Sequence, residues 1–188
     1  MISAEAAGVL AYFDVKGYSF ASDILGAYLG NNREGYEYRI SSRNVEQVVA
    51  CQVVKDATEA NLLSIKEEAK NNSAAVGVRQ ELTSNWKVVN VTDNSDVTLA
   101  LGNFSVAVGS DTTILSNEGG TVKADIWYRV YVYDLYDWDK TTEWSWDLER
   151  TLKTGLNNDM RQLEEAGWAR SFKARGESAM SFYWTGIL

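Results

Sequence analysis

The rhythm of apolar and polar positions along this chain turns from helical to strand-like near residue 86. Before that point the spacing is helical. Over residues 18–31, Phe20, Ile24, Leu25 and Tyr28 recur at three- or four-residue intervals, with Ser19 or Ser22 as candidate cap and Gly30 as candidate terminator. Residues 57–71 repeat the pattern, placing Leu62, Leu63, Ile65 and Ala69 inward and Lys66, Glu67, Glu68 and Lys70 outward; Asn71-Asn72-Ser73 then breaks it. Between these helices, residues 42–55 carry Val48, Val49, Cys51, Val53 and Val54, an apolar stretch that suits helix or strand equally.

Beyond residue 86 the period becomes two. Residues 86–92 alternate as a strand. Val97, Leu99 and Leu101 precede Gly102-Asn103, and Phe104, Val106 and Val108 follow, which predicts a tight β-hairpin. Asn117-Glu118-Gly119-Gly120 predicts a second turn, leading into the longest strand, residues 121–134. Val122, Ala124, Ile126, Tyr128, Val130 and Val132 share one face of it; Lys123, Asp125, Trp127, Arg129, Tyr131 and Tyr133 share the other. Both faces are largely apolar beyond Ile126, so the strand is expected to be central. A short helix over residues 158–166, with Met160 and Leu163 inward and Gly167 at its end, and a strand over 179–185 complete the pattern. Helices first, then an antiparallel sheet with one late helix, predict an α+β fold.

The length of 188 residues fits a single domain over 1–188, with a helical part over about 1–85 and a β-rich part over about 86–188. The absence of histidine excludes Ser-His-Asp and Cys-His chemistry, and with one cysteine it leaves few soft ligands for a transition metal. A hard cation held by carboxylates stays open. Cys51, set among valines, reads as a small buried hydrophobe. A net charge of −8 argues against nucleic acid and against electrostatic docking on anionic lipid. No basic leader region and no run long enough for a membrane span are visible in the sequence.

One segment carries candidate chemistry. Tyr133-Asp134-Leu135-Tyr136-Asp137-Trp138-Asp139 ends the long strand with three carboxylates in six residues. Continued alternation puts Asp134 and Tyr136 on the face of Val130 and Val132, and sends Asp137 elsewhere unless the chain bends. Glu143 and Asp147 follow among tryptophans. Two readings are open: a solvated acidic turn beside core aromatics, or a carboxylate cluster that binds a hard cation or moves protons.

The Asp-x-Tyr-Asp string of Asp134, Tyr136 and Asp137 resembles the first half of the motif that defines colicin M and related bacteriocins. The resemblance extends to the helices around residues 23–31 and 62–70, the segment 99–106 and the stretch from Gly167 to Glu177. It implies N-terminal helices packed on a twisted antiparallel, partly barrel-like sheet. It also implies hydrolysis of lipid II between undecaprenyl and pyrophosphate, with Mg2+ as the usual cofactor. The implied roles are Asp134 and Asp137 as metal ligands or water-orienting groups, and Tyr136 as a donor to a phosphate oxygen. The family's His-Arg pair is replaced here by Glu143-Trp144. Glu143 then becomes the base, and Lys140 or Arg150 the candidate clamp on the pyrophosphate. Implied partners are a lipid-linked pyrophosphate at a membrane surface and an immunity or delivery protein. The implied setting is secretion or delivery to a target cell envelope, the chain being an activity domain without receptor-binding or translocation segments. The alternative is a catalytically inactive homologue serving as a binding or accessory module of a secreted assembly.

Overall fold

The structure is a computed structural model that describes residues 4–72, 76–138 and 156–188. Helices α1, Ala4–Lys16, and α2, Ser19–Leu29, come first, followed by a short strand β1, Glu37–Arg39. Helices α3, Ser42–Ala50, and α4, Gln52–Asn71, lead to β2, Arg79–Thr83, and β3, Lys87–Asn90. Helix α5, Ser95–Leu101, precedes the two long strands β4, Asn103–Ser116, and β5, Val122–Tyr136. Helix α6, Leu156–Glu165, then β6, Phe172–Glu177, and β7, Phe182–Ile187, close the order.

The seven strands form one mixed sheet in the order β1-β6-β5-β4-β2, with β3 also on β4 and β7 also on β5. The β1–β6 pair is parallel and the other pairs are antiparallel. The α+β class therefore holds. The expectation of an antiparallel, partly barrel-like sheet does not: among the described residues β1 and β2 end the pairing path without closing it. The parallel strand that makes the sheet mixed, Glu37-Tyr38-Arg39, is too short to show a period of its own.

Strand β5 is central, as its two apolar faces predict, with β4 along one side and β6 and β7 sharing the other. Its even positions Ala124, Ile126, Val130, Val132, Asp134 and Tyr136 are buried. A smaller cluster packs Leu62, Ile65 and Ala69 of α4 on Val108, Ile114, Ala124 and Ile126. A larger one gathers α1, α2, α3 and α5 around Val106, Val132 and Tyr136, with Met160 of α6 joining it. Cys51 is 3% exposed, as expected for a small core residue.

Several sequence expectations need correction. The hairpin at Gly102-Asn103 is not present, because residues 95–101 are helix α5. The Asn94 side chain accepts the Val97 amide at 3.2 Å, and Val97, Ala100 and Leu101 are buried at helical spacing. Five residues from Val97 to Leu101 fit both periods, and the Asn94 cap decides for the helix. Gly102, at φ 59°, closes α5 in a conformation glycine tolerates best. The second expected turn does form a hairpin: at Asn117–Thr121, β4 turns into β5 through Gly119 and Gly120 at φ 71° and 77°.

The ambiguous stretch 42–55 resolves into the whole of α3 and the start of α4, separated at Cys51 with extended φ/ψ of −68° and 141°. Helix α4 therefore starts earlier than expected, and Leu63 is 57% exposed, with Val54, Ala57 and Asn61 taking the inward face. Neither Ser19 nor Ser22 caps α2. The amides of Phe20 and Ala21 donate to the Asp96 carboxylate at 3.2 and 2.8 Å, so α5 supplies the cap from far along the chain. The last strand is displaced two to three residues from the expected one, and α1, β1, β2 and β6 had no counterpart in the pattern.

Candidate functional site

The even face of β5 carries its alternation to the end of the strand. Asp134 pairs in register with Ala174 and Tyr136 with Phe172, so both side chains turn toward the helices. Each is 7% exposed. The Tyr136 ring stacks on Phe172 with centroids 5.3 Å apart and planes at 9°. Tyr28 of α2 meets Tyr136 edge-on at 5.8 Å, and Trp138 stands perpendicular to Tyr136 at 6.3 Å. The result is an aromatic enclosure around the strand end, stabilised by burial and by edge-to-face geometry.

Polar groups in this enclosure are held by a second layer. The Tyr28 hydroxyl lies 3.1 Å from the Met160 carbonyl and 3.2 Å from Glu164 Oε2, which share its one proton. Glu164 also accepts the Ser171 amide at 2.9 Å and the Ser171 hydroxyl at 2.8 Å. One carboxylate thus ties α2, α6 and the approach to β6 together. The turn after α6 is fixed by Gly167, at φ 74°, with the Trp168 amide reaching back to the Leu163 carbonyl at 2.7 Å.

Asp134 is the electrostatic centre. Burial, and then the neighbouring charge of Asp137, push its carboxyl up to about 8, against a small opposing effect from the Leu135 amide. It is therefore largely protonated at neutral pH and can act as a hydrogen-bond or proton donor. Asp137 lies just past the strand and is exposed, yet its charge reaches both Asp134 and the Tyr28 hydroxyl. The two carboxyls are within Coulombic reach of one another, although alternation sends them to opposite sides of an ideal strand. Burial also pushes both the Tyr28 and the Tyr136 hydroxyls well up, with Glu164 second in importance for Tyr28 and Asp134 for Tyr136. Both phenols stay protonated donors.

Asp134, Tyr136 and Asp137 are thus gathered at one strand end. Glu143, Lys140 and Arg150 lie outside the described residues. No group of three or more ligand-type side chains suited to a metal occurs among the described residues, so Asp134 and Asp137 stand as a pair. Tyr28 and Glu164 are the members that pattern reading missed. Tyr28 counted only as an apolar position of its helix, and nothing local to Glu164 signals a hydrogen bond from Tyr28, 136 residues away. Arg161 brings a described positive charge near the Tyr28 hydroxyl and pairs with Glu165 at 3.1 Å.

The fold defines a mixed α+β protein with a carboxyl–phenol cluster at the end of its central strand. The chain matches no family model, no curated protein and no solved structure. No helix among the described residues is long and apolar enough to cross a membrane.

Proposed function

We propose that this chain is a bacteriocin-like hydrolase domain that cleaves a lipid-linked pyrophosphate of the lipid II type. The observation that carries the reading is the placing of Asp134 at the buried end of the central strand beside Asp137: burial first, and the charge of Asp137 second, keep the Asp134 carboxyl protonated. A pair with unlike protonation is what acid–base hydrolysis requires. Asp134 donates a proton or hydrogen bond to the departing oxygen, Asp137 orients water, and Tyr136 and Tyr28 offer phenolic donors for phosphate oxygens. If Asp134 gave up its proton, it and Asp137 would together hold a hard divalent cation in place of the proton-donor role. When bound, Mg2+ would neutralise the pyrophosphate that bare carboxylates repel.

The test is incubation of the purified chain with lipid II and magnesium, measuring released undecaprenol. Release by the wild type that is lost in Asp137→Ala and Asp134→Asn supports the reading. No release by the wild type, with Asp137→Ala indistinguishable from it, overturns it.

The second reading, an inactive homologue kept as a binding or accessory module, is favoured by the depth of the motif. Asp134 and Tyr136 are both 7% exposed, and a substrate must displace part of the aromatic enclosure to touch them. That reading expects no turnover and intact affinity for a partner.

A further inference from the structure

The odd-numbered face of β5 has a different character. Trp127, Arg129, Tyr131 and Tyr133 lie along it, exposed or half-buried, and none of them belongs to either hydrophobic cluster. Trp127 is 53% exposed and its ring lies against Tyr183, with centroids 4.6 Å apart. The Tyr183 hydroxyl and the Thr185 hydroxyl both donate to Asp125, at 2.9 and 2.7 Å, which fixes the Trp127–Tyr183 pair from β7. Tyr131 lies over Gly109 of β4, so close that a Cβ there would stand 2.9 Å from its Cε2 atom. Glycine at that position lets the ring lie down along the sheet. Tyr133 is flanked by Trp86, at 5.9 Å, and by the Arg175 guanidinium, at 5.7 Å. From Trp127 to Tyr133 the strand rises about 20 Å, at about 3.3 Å per residue.

Two cavities lie along this line and share Tyr131: one of about 430 Å³ beside Trp127, one of about 350 Å³ beside Arg175. Both are within the ordinary size of small-molecule sites, about 300–1,000 Å³. Their charges decide what fits. The first is lined by Arg79 and Arg129 against Glu81 and Asp111, the second by Arg39 and Arg175 against Glu37 and Glu177. The cations are largely matched already, Arg79 to Asp111 at 2.5 Å, Arg129 to Glu177 at 3.6 Å and Arg175 to Glu37 at 3.4 Å. On a chain of net charge −8, both cavities are locally neutral, so neither offers the excess cation that nucleic acid or a phosphate needs. Nor can a peptide add as a strand, because β5 has neighbours on both edges.

A polar, uncharged, elongated ligand with apolar faces remains. A pyranose chain has that chemistry: its C–H faces pack on aromatic rings, and its hydroxyls both donate and accept, which suits paired guanidinium and carboxylate groups. We propose that the odd face of β5 is a binding site for a neutral linear oligosaccharide, seated along Trp127, Tyr131 and Tyr133. The site is separate from the Asp134 cluster, which faces the other side of the same strand, and it stands or falls independently of hydrolysis.

The test uses titration calorimetry of the whole chain with cellotetraose, N-acetylchitotetraose, tetragalacturonate and a thymidine octanucleotide. At least one neutral tetrasaccharide is expected to bind with a dissociation constant at or below about 1 mM. Trp127→Ala and Tyr131→Ala are each expected to weaken that binding about tenfold or more, with circular dichroism unchanged. Asp134→Asn is expected to leave it unaltered, and a tenfold rise in salt to change it less than about twofold. The proposal is overturned if neither neutral probe binds, if only the charged probes bind, or if binding survives both aromatic substitutions. Because Trp127 and Tyr131 lie outside the core clusters, loss of binding in folded variants reads the surface itself.

Discussion

One strand presents two chemistries on its opposite faces. On the even side of β5, Asp134 and Tyr136 are closed in by Tyr28, Trp138 and Phe172, and burial decides everything about them: protonation, orientation and access. On the odd side, Trp127, Arg129 and Tyr131 keep contact with solvent, and their polar neighbours are matched charge by charge. The difference teaches that a perturbed group and an accessible group need not coincide. A carboxyl gains a shifted pKa by leaving water, and the same burial removes it from ligands. An exposed tryptophan costs little to keep and is available at once.

The sharpest way to separate the faces is to truncate one ring from each. Tyr136→Ala removes an enclosed ring from the larger cluster and is expected to cost about 3–5 kcal/mol in denaturant unfolding. A loss below about 1 kcal/mol would mean that the even face is not the packed side.

The next contrast is in pH. Asp134 has its folded carboxyl raised to about 8, whereas an unfolded aspartate titrates near about 3.9. Between these values the folded chain holds a proton that the unfolded chain has lost. Unfolding free energy contributed by this group is therefore fully present below about pH 4 and declines as the pH rises toward about 8. The decline is on the order of a few kcal/mol. Asp134→Asn is expected to flatten that part of the profile, measured by urea unfolding at a series of pH values. An unchanged slope would place the proton elsewhere.

Asp137→Asn tests the coupling inside the even face. Removing the like charge eases ionisation of Asp134, so the upper limit of the decline is expected to move to lower pH, with burial still holding it above the ordinary value. Carbon-detected NMR titration of the Asp134 carboxyl reads the shift directly. The smallest effect belongs to the odd face: Trp127→Ala is expected to lower unfolding free energy by about 1–2 kcal/mol, since the ring is half exposed and loses its contact with Tyr183. A loss as large as that of Tyr136→Ala would abolish the distinction between the two faces.

Legibility in the sequence followed the length of each pattern. The alternation of β5 runs for fifteen residues, and its face assignment, its central place and the inward turn of Asp134 and Tyr136 all agree with the structure. Helix α5 spans seven residues, and there the period of two misled, because Val97 and Leu101 sit equally well on one helical face. Strand β1, with three residues, carried no pattern at all.

The candidate site divides in the same way. Asp134, Tyr136 and Asp137 are neighbours along the chain, so their grouping is visible in the order of residues. Their pairing with Tyr28 and Glu164 is not, because Tyr28 is 136 residues from Glu164 and only packing brings the two hydrogen-bonding groups to 3.2 Å.

By itself, the amino-acid order determined the class of the fold, the core face of its longest strand and the absence of histidine chemistry, since each depends on local composition or a period repeated many times. Tertiary structure alone decided that the sheet is mixed and open, that Asp134 is held protonated beside Asp137, and that the odd face of β5 lies open with balanced charge. Those properties depend on which distant groups surround a residue, and burial and Coulomb interaction act through space rather than along the chain.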